Sequence, residues 1–202
     1  MLTALRAVIV SCLMAVSLGF HHHAGSDTSG KVTRREVAVT FDDLPVIGTR
    51  DIAAQQKITR KLLRSITSHK VPAIGFVNEN KLLHGGVQDE RRVALLQQWL
   101  DAGLDLGNHS FSHPDLHGVP LEVFQTDVIR GEEVTRALLT RRGVTLRYFR
   151  HPFLHAGRDL ETQQKFEAFL ASRRCRVAPV TIDNSDWIFA SAYAKAADRT
   201  DR

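Results

Sequence analysis

An α/β fold, with a largely parallel sheet and helices outside it, is predicted by three features of this 202-residue chain. Short apolar runs alternate with longer segments of helical periodicity. Each apolar run ends in a polar block rich in carboxylates, histidine or arginine. No repeat or interior linker interrupts the alternation. With 43% hydrophobic residues, the chain suits a single core.

The elements follow in order. Val37 to Phe41 is short and β-branched and reads as a buried parallel strand, stopping at Asp42, Asp43 and a Pro45 that cannot continue a ladder. Asp51 to Lys70 carries Ile58, Leu62, Leu63 and Ile66 at helical spacing, and Val71-Pro72 leads into a second strand, Ala73 to Val77. Arg91 to Ala102 sets Val93, Leu96, Trp99 and Leu100 on one face and stops at Gly103. Leu104 to Gly107 is a short strand delivering His109. Leu121 to Arg142 holds Phe124, Val128, Leu138 and Leu139, bends near Gly131 and ends at Gly143. Leu146 to Phe149 delivers Arg150, with Tyr148 and Phe149 read as core. Asp159 to Arg174 is helical, Val177 to Ile182 delivers Asp183, and Ala194 to Arg202 reads as a helix-like tail.

Ahead of these elements, residues 1–19 combine Arg6 with an apolar run ending in small residues, the pattern of a secretory signal peptide. The alternative is an uncleaved membrane anchor, although the run is shorter than the roughly 20 residues a span needs. Residues 20–35, with His21-His22-His23 and a Gly/Ser-rich stretch, read as a flexible leader. The expectation is a secreted or periplasmic chain, with no membrane span after signal removal. Cys12 would leave with the signal, so no internal disulfide is available and Cys175 reads as a packed apolar residue. The formal charge of +5 comes with arginine doublets scattered at element ends, and no basic stripe with interleaved aromatics points to nucleic acid.

The polar blocks carry the chemistry. In α/β sheets, ligands gather at the carboxyl ends of the strands, where Asp42 and Asp43 stand together. Neighbouring like charges there need a cation or a shared proton. His109 and His113, at i and i+4, can face one way on a helical turn. With Asp43 they would make a two-His-one-carboxylate site with an open position, the mark of a catalytic rather than a structural zinc. The alternative is a hydrogen-bonded pair of loop histidines with a capping Asp. The third block is Arg150-His151-Pro152-Phe153 and the fourth Asp183-Asn184-Ser185-Asp186-Trp187; each follows a strand-like run, which sets all four on one rim.

These blocks, in this order, resemble the first four motifs of the polysaccharide deacetylases, the NodB-type enzymes of carbohydrate esterase family 4. Thr40-Phe41-Asp42-Asp43 matches the first, with Leu44 where the family commonly has Gly. His109-Ser110-Phe111-Ser112-His113-Pro114 fits the second without departure, and the third and fourth blocks match in turn. The likeness covers about residues 36 to 190, within a domain spanning 36–202. It implies a distorted, partial (β/α) barrel and metal-dependent removal of acetyl groups from a polysaccharide of the chitin, peptidoglycan or xylan type. The implied metal is Zn2+, with Co2+, Ni2+ or Mn2+ as alternatives.

The resemblance also implies roles. Asp42 is the general base toward the attacking water, and Arg150 pairs with it and keeps it ionised. A surface ion pair is the alternative. Asp186, with Asp183, resembles the acids that support a catalytic histidine. Pro152, Phe153 and Trp187 would form apolar walls of a sugar groove, with core packing as the alternative for Phe153. The family's fifth motif, a Leu-x-His carrying the general acid, has no counterpart, since no histidine follows His155. A C-terminally truncated member is therefore expected, or else a catalytically impaired carbohydrate-binding remnant. His84, His117, His151 and His155 read as ordinary polar loop residues, with His155 the one substitute acid. The basic balance suits anionic cell-wall polymers and equally a merely solvated surface.

Overall fold

The computed structural model describes residues 36–192. Five parallel strands form one sheet in the order β1-β2-β5-β6-β7, and β3 and β4 form a separate antiparallel pair. The sheet strands are β1 (Val39–Leu44), β2 (Ala73–Val77), β5 (Asp105–Asn108), β6 (Tyr148–Phe149) and β7 (Arg176–Val177). The small pair is β3 (Leu83–His84) and β4 (Val87–Gln88). Gly85 and Gly86 join it at φ of 60° and 82°, the double left-handed turn that matches strand twist. The α/β class read from the sequence is the class observed. Among the described residues the sheet has β1 and β7 at its two edges.

β1 differs from its expectation. Among the described residues it pairs with β2 alone, and its residues alternate between half-buried and exposed until Leu44. It is an edge strand, and it runs through the two aspartates rather than stopping before them. β7 is also shorter than the expected 177–182. It ends at Val177, Pro179 has no N–H to extend a ladder, and Ile182 is 82% exposed. Residues 186–192 are helical. The expected tail from Ala194, the signal peptide and the leader lie outside the described residues.

Five helices cover the sheet: α1 (Ile52–Ser68), α2 (Glu90–Asp101), α3 (Leu121–Arg130), α4 (Glu133–Thr140) and α5 (Leu160–Ser172). Asp51, Asp89 and Asp159 cap α1, α2 and α5 by accepting backbone N–H groups of Ala54, Arg91 and Thr162. The buried face of α1 is Gln55, Thr59, Leu63 and Ile66, whereas the expected Ile58 is 45% exposed. The polar Gln55 is buried because its Oε1 accepts from Arg92 Nη1 of α2 at 2.8 Å. The expected single helix from Leu121 is broken at Gly131, and α4 starts afresh. The Glu79 carboxylate, at the end of β2, accepts from the N–H groups of Val134 and Thr135 there, at 3.0 and 2.7 Å.

Trp99 of α2 is buried against the edge of Phe41, centroids 5.5 Å apart. Phe124, Phe149 and Phe166 form a second aromatic cluster with edge-on contacts of 5.1 to 6.1 Å. Each fully buried side chain of this size is worth about 1.5–3 kcal/mol. His151, read as a loop residue, belongs to this core: it is buried, and its ring packs on Phe149 and Phe166. Cys175 is a buried free cysteine. No helix among the described residues is long and apolar enough to cross a membrane.

Candidate active site

The two aspartates stand in a β-bulge. Phe41 pairs with Gly75 and Leu44 with Val77, so Asp42 and Asp43 together oppose the single residue Phe76. The extra residue is accommodated by Asp43 at φ 68°, a left-handed conformation that Asp tolerates better than most residues. The bulge breaks the strict alternation of a strand and lets both carboxylates serve one region. Asp43 Oδ1 lies 2.7 Å from Lys81 Nζ and 3.8 Å from His113 Nε2. Asp42 instead meets Arg150, its Oδ2 lying 3.2 Å from Nη1.

β5 delivers His109, which is 2% exposed, but the segment after it is not the helical turn expected from the i, i+4 spacing. Ser110 and His113 have φ of 67° and 61°. Side chains hold this loop where a helix would use its own carbonyls. Asn108 Oδ1 accepts from the Ser110 N–H at 2.6 Å. Asp127 of α3 accepts from the N–H groups of Phe111 and Ser112 at 2.8 and 3.0 Å, and from Ser112 Oγ at 2.6 Å. The result brings the rings of His109 and His113 to 4.9 Å, at 77° to each other.

Asp43, His109 and His113 each present a ligand atom, and the three atoms lie within 4.8 Å of one another. The donor set fits a divalent ion on a further ground. His109 Nδ1 lies 2.8 Å from the Arg150 carbonyl, which can only accept, so the ring proton sits on Nδ1 and Nε2 keeps its lone pair. Burial pushes the His109 pKa down to about 4 and lowers that of His113, so both rings are neutral at pH 7. Burial would raise the Asp43 carboxyl, but the Lys81 hydrogen bond and charge outweigh it and hold it below the usual range. A carboxylate and two neutral imidazoles are what a borderline metal requires.

Arg150 is buried beneath this site. Its Nε donates to the Ala178 carbonyl at 2.9 Å, Nη2 to Thr40 Oγ1 at 3.3 Å, and its guanidinium lies 4.7 Å from the Phe76 centroid. The resemblance implies that it keeps Asp42 ionised, yet the Asp42 pKa is raised. Burial is the larger influence and outweighs the arginine's charge, while Asp43 and Asp186 add to the rise.

The remaining sequence-derived residues divide. Phe153, at φ 58° and 57% exposed, packs edge-on to His113 at 4.6 Å. Pro152 is buried. The fourth block is not delivered by a strand. It follows residues 178–182, which form neither strand nor helix, and is held by local turns, in which Asp183 Oδ1 accepts from the Ser185 N–H and Asn184 Oδ1 from the Asp186 N–H. Trp187 is 67% exposed, and Asp186 lies near enough to Asp42 to influence its charge.

Lys81, Asn78 and Asp127 were missed. Asn78 Nδ2 donates to the His109 carbonyl at 2.5 Å, tying the end of β2 to the histidine loop. Asn78 and Lys81 stand in Asn78-Glu79-Asn80-Lys81 directly after the strand ending at Val77, a polar block at a strand end like that of Asp42. Asp127 carries no such signal.

A parallel sheet whose strand ends converge two imidazoles and a carboxylate, beside a second carboxylate paired with a buried arginine, defines an α/β protein with a candidate metal centre on its carboxyl rim. Residues 29–168 match the sequence profile of the polysaccharide deacetylase family. A peptidoglycan-N-acetylglucosamine deacetylase of Bacillus cereus is 27% identical over 164 residues, covering 81% of this chain and 50% of that protein. A solved structure of a peptidoglycan N-acetylglucosamine deacetylase in complex with 4-naphthalen-1-yl-N-oxidanyl-benzamide superposes with a TM-score of 0.57 at 26% identity, covering 75% of this chain and 59% of that one. A family 4 carbohydrate esterase pseudoenzyme of Bacillus anthracis shares the fold, with a TM-score of 0.58 at 17% identity over 77% of this chain and 46% of that one. The chain belongs to the polysaccharide deacetylase family, the NodB-type carbohydrate esterases of family 4. It spans half the length of the Bacillus cereus deacetylase.

Proposed function

We propose that the chain is a zinc-dependent deacetylase of an acetylated polysaccharide, exported by a signal at residues 1–19 and acting in the periplasm or outside the cell through a domain at 36–202. The observation that carries this reading is the grouping of Asp43, His109 and His113 within 4.8 Å, with Asp42 alongside. Among the chitin, peptidoglycan and xylan types, peptidoglycan is favoured because two of the relatives are named for it.

Asp43, His109 and His113 would hold the ion, which when bound supplies Lewis acidity toward an acetyl carbonyl and toward water. Asp42, oriented by Arg150, is the group left free to orient a water and accept its proton. A carboxyl of raised pKa suits that role, since it takes the proton readily and can release it to the leaving nitrogen or alkoxide, freeing acetate. Phe153, exposed beside His113, offers an apolar face to a sugar ring or an acetyl methyl. Trp187 is a second exposed aromatic on the block that carries Asp186.

The test is acetate release from peptidoglycan, chitin oligomers and acetylxylan, with and without added zinc. Loss of release in Asp42→Asn with zinc still bound is expected, as is loss of release together with the one zinc equivalent that His109 and His113 hold in His109→Gln/His113→Gln. A second reading is a carbohydrate-binding chain with impaired turnover. Sugar binding with no acetate at any protein concentration would select it.

A further inference from the structure

The segment that carries His113 runs on into a second group of donors, outside all four sequence blocks. Asp115, His117 and His155 each offer one ligand atom, and those atoms lie within 4.8 Å of one another. The rings of His117 and His155 stack face to face, centroids 4.0 Å apart and planes 9° from parallel. His155 Nδ1 lies 2.8 Å from Asp115 Oδ1, and the same oxygen accepts the His117 N–H at 2.8 Å.

The surrounding contacts leave donors free. His117 Nε2 lies 3.0 Å from the Gly157 carbonyl, which can only accept, so the ring proton sits on Nε2 and Nδ1 keeps its lone pair. A ring nitrogen tied to a backbone carbonyl is how metal-binding histidines are commonly oriented. Between His155 Nδ1 and Asp115 Oδ1 a single proton now occupies the place that a cation could take. Donor atoms sharing one tetrahedral zinc stand about 3.3 Å apart. The side chains of His155 and Asp115 are 40% and 37% exposed, so the His155 ring can turn out of the stack and place the ion in both ring planes while the buried Leu116 stays in place.

We propose that Asp115, His117 and His155 form a second divalent-metal site, for a borderline transition ion of the zinc class. Two imidazoles and one carboxylate suit such an ion and not magnesium or calcium. On binding, the His155 ring proton moves to Nε2 and Nδ1 ligates the ion. The ion ties the loop after β5, which carries His109 and His113, to the loop after β6, which follows Arg150. Phe153 stands between the two centres, 4.6 Å from His113 and 5.9 Å from His155 by ring centroids. The second ion therefore braces both loops of the candidate active site.

The test uses the full chain with His21→Ala, His22→Ala and His23→Ala, so that the N-terminal histidines contribute nothing. It is stripped of metal and dialysed against buffered micromolar Zn2+ alone, and bound zinc is counted by mass spectrometry. Two equivalents are expected in this background. His117→Gln/His155→Gln should retain one, and His109→Gln/His113→Gln should also retain one, with a thermal midpoint that still rises on adding zinc. Far-UV circular dichroism checks folding. Should the double variant fail to fold, the exposed His155→Gln alone serves, and is expected to lower the second equivalent's affinity at least tenfold. A count unchanged by His155→Gln, or no zinc bound by His109→Gln/His113→Gln, overturns the second site. Two equivalents still bound by His109→Gln/His113→Gln would instead undermine the proposed active centre.

Discussion

Lys81 Nζ lies 2.7 Å from Asp43 Oδ1, the same oxygen that stands 3.8 Å from His113 Nε2. The ammonium has two opposed effects on an ion held there. It steadies Asp43, donating also to that residue's backbone carbonyl at 3.1 Å. It also repels a dication that shares the carboxylate. The pair is nearly a third exposed, so its own worth is below about 1 kcal/mol, while repulsion between a single and a double charge several ångströms apart is larger. Lys81→Met is therefore expected to tighten zinc binding several-fold and to cost less than about 1 kcal/mol of stability. Competition with a chromophoric chelator and urea unfolding measure the two. Weaker zinc binding would mean that positioning of Asp43 dominates.

Arg150 ties together strands distant in sequence: Thr40 and Asp42 on β1, and Ala178 just beyond β7. Its fork makes these bonds from a buried position, and a lysine there has one ammonium in place of three separately aimed nitrogens. Arg150→Lys should cost about 1.5–3 kcal/mol in urea unfolding, the scale for losing hydrogen bonds to a charged group. Activity, where present, should fall further than zinc affinity, because Asp42 loses its orienting partner while the metal-binding side chains are untouched. An equal fall in both would show that Arg150 acts through the His109 contact of its carbonyl.

Two buried histidines set the acid limit of the metal-free protein. Burial pushes His109 and His151 down to about 4, against 6.5 in an unfolded chain. Between pH 6.5 and 4 the unfolded chain binds protons that the folded chain does not, so stability falls as pH falls through that window. Together the two sites put on the order of a few kcal/mol at stake. Asp42 works the other way: its raised pKa adds stability at low pH that is lost as pH rises through the folded value, a partial offset at the acid end. The thermal midpoint should drop from pH 6.5 to 4.5. His151→Leu, at a ring packed on Phe149 and Phe166 with an unpartnered Nδ1, should flatten that slope. Parallel slopes for the two proteins would remove His151 from the account.

What was legible in the sequence was the part governed by local rules. Apolar runs and helical spacing located β2, α2 and α5 closely, because each is built from residues near in sequence. The histidines of the second block are legible by residue type but their backbone is not: i, i+4 spacing suits a helix, and Asn108 together with Asp127, which lies in another element, makes the loop the better solution. Gln55 and Thr59 were passed over as buried residues of α1 because their burial depends on α2, which packs over them. The bulge at Asp42 and Asp43 is a property of the β1–β2 register and has no signature within either strand. β7 was extended too far because its apolar run continues where its partner strand has already ended.

The bend at Gly131 was legible, but its purpose lies across the structure. A Cβ placed on Gly131 would fall inside contact distance of Ser110 C and Phe111 N, and 2.7 Å from Ser110 O. These are backbone atoms beside His109 and cannot rotate aside. The φ of −80° is open to any residue, so the glycine answers a need for space and not for conformation. The end of α3 thus presses directly on the histidine loop while Asp127, one turn earlier, holds it by three hydrogen bonds. Gly131→Ala must push either the helix end or the loop, at the 1–3 kcal/mol typical of overpacking. The loop, held largely by side chains, is the softer of the two. Its displacement would carry His109 and His113 with it, so zinc affinity should fall at least tenfold although no ligand has changed. Urea unfolding and chelator competition on the same variant separate the outcomes. A destabilised protein that binds zinc as before would show that the helix yields and that α3 supports the fold without setting the site.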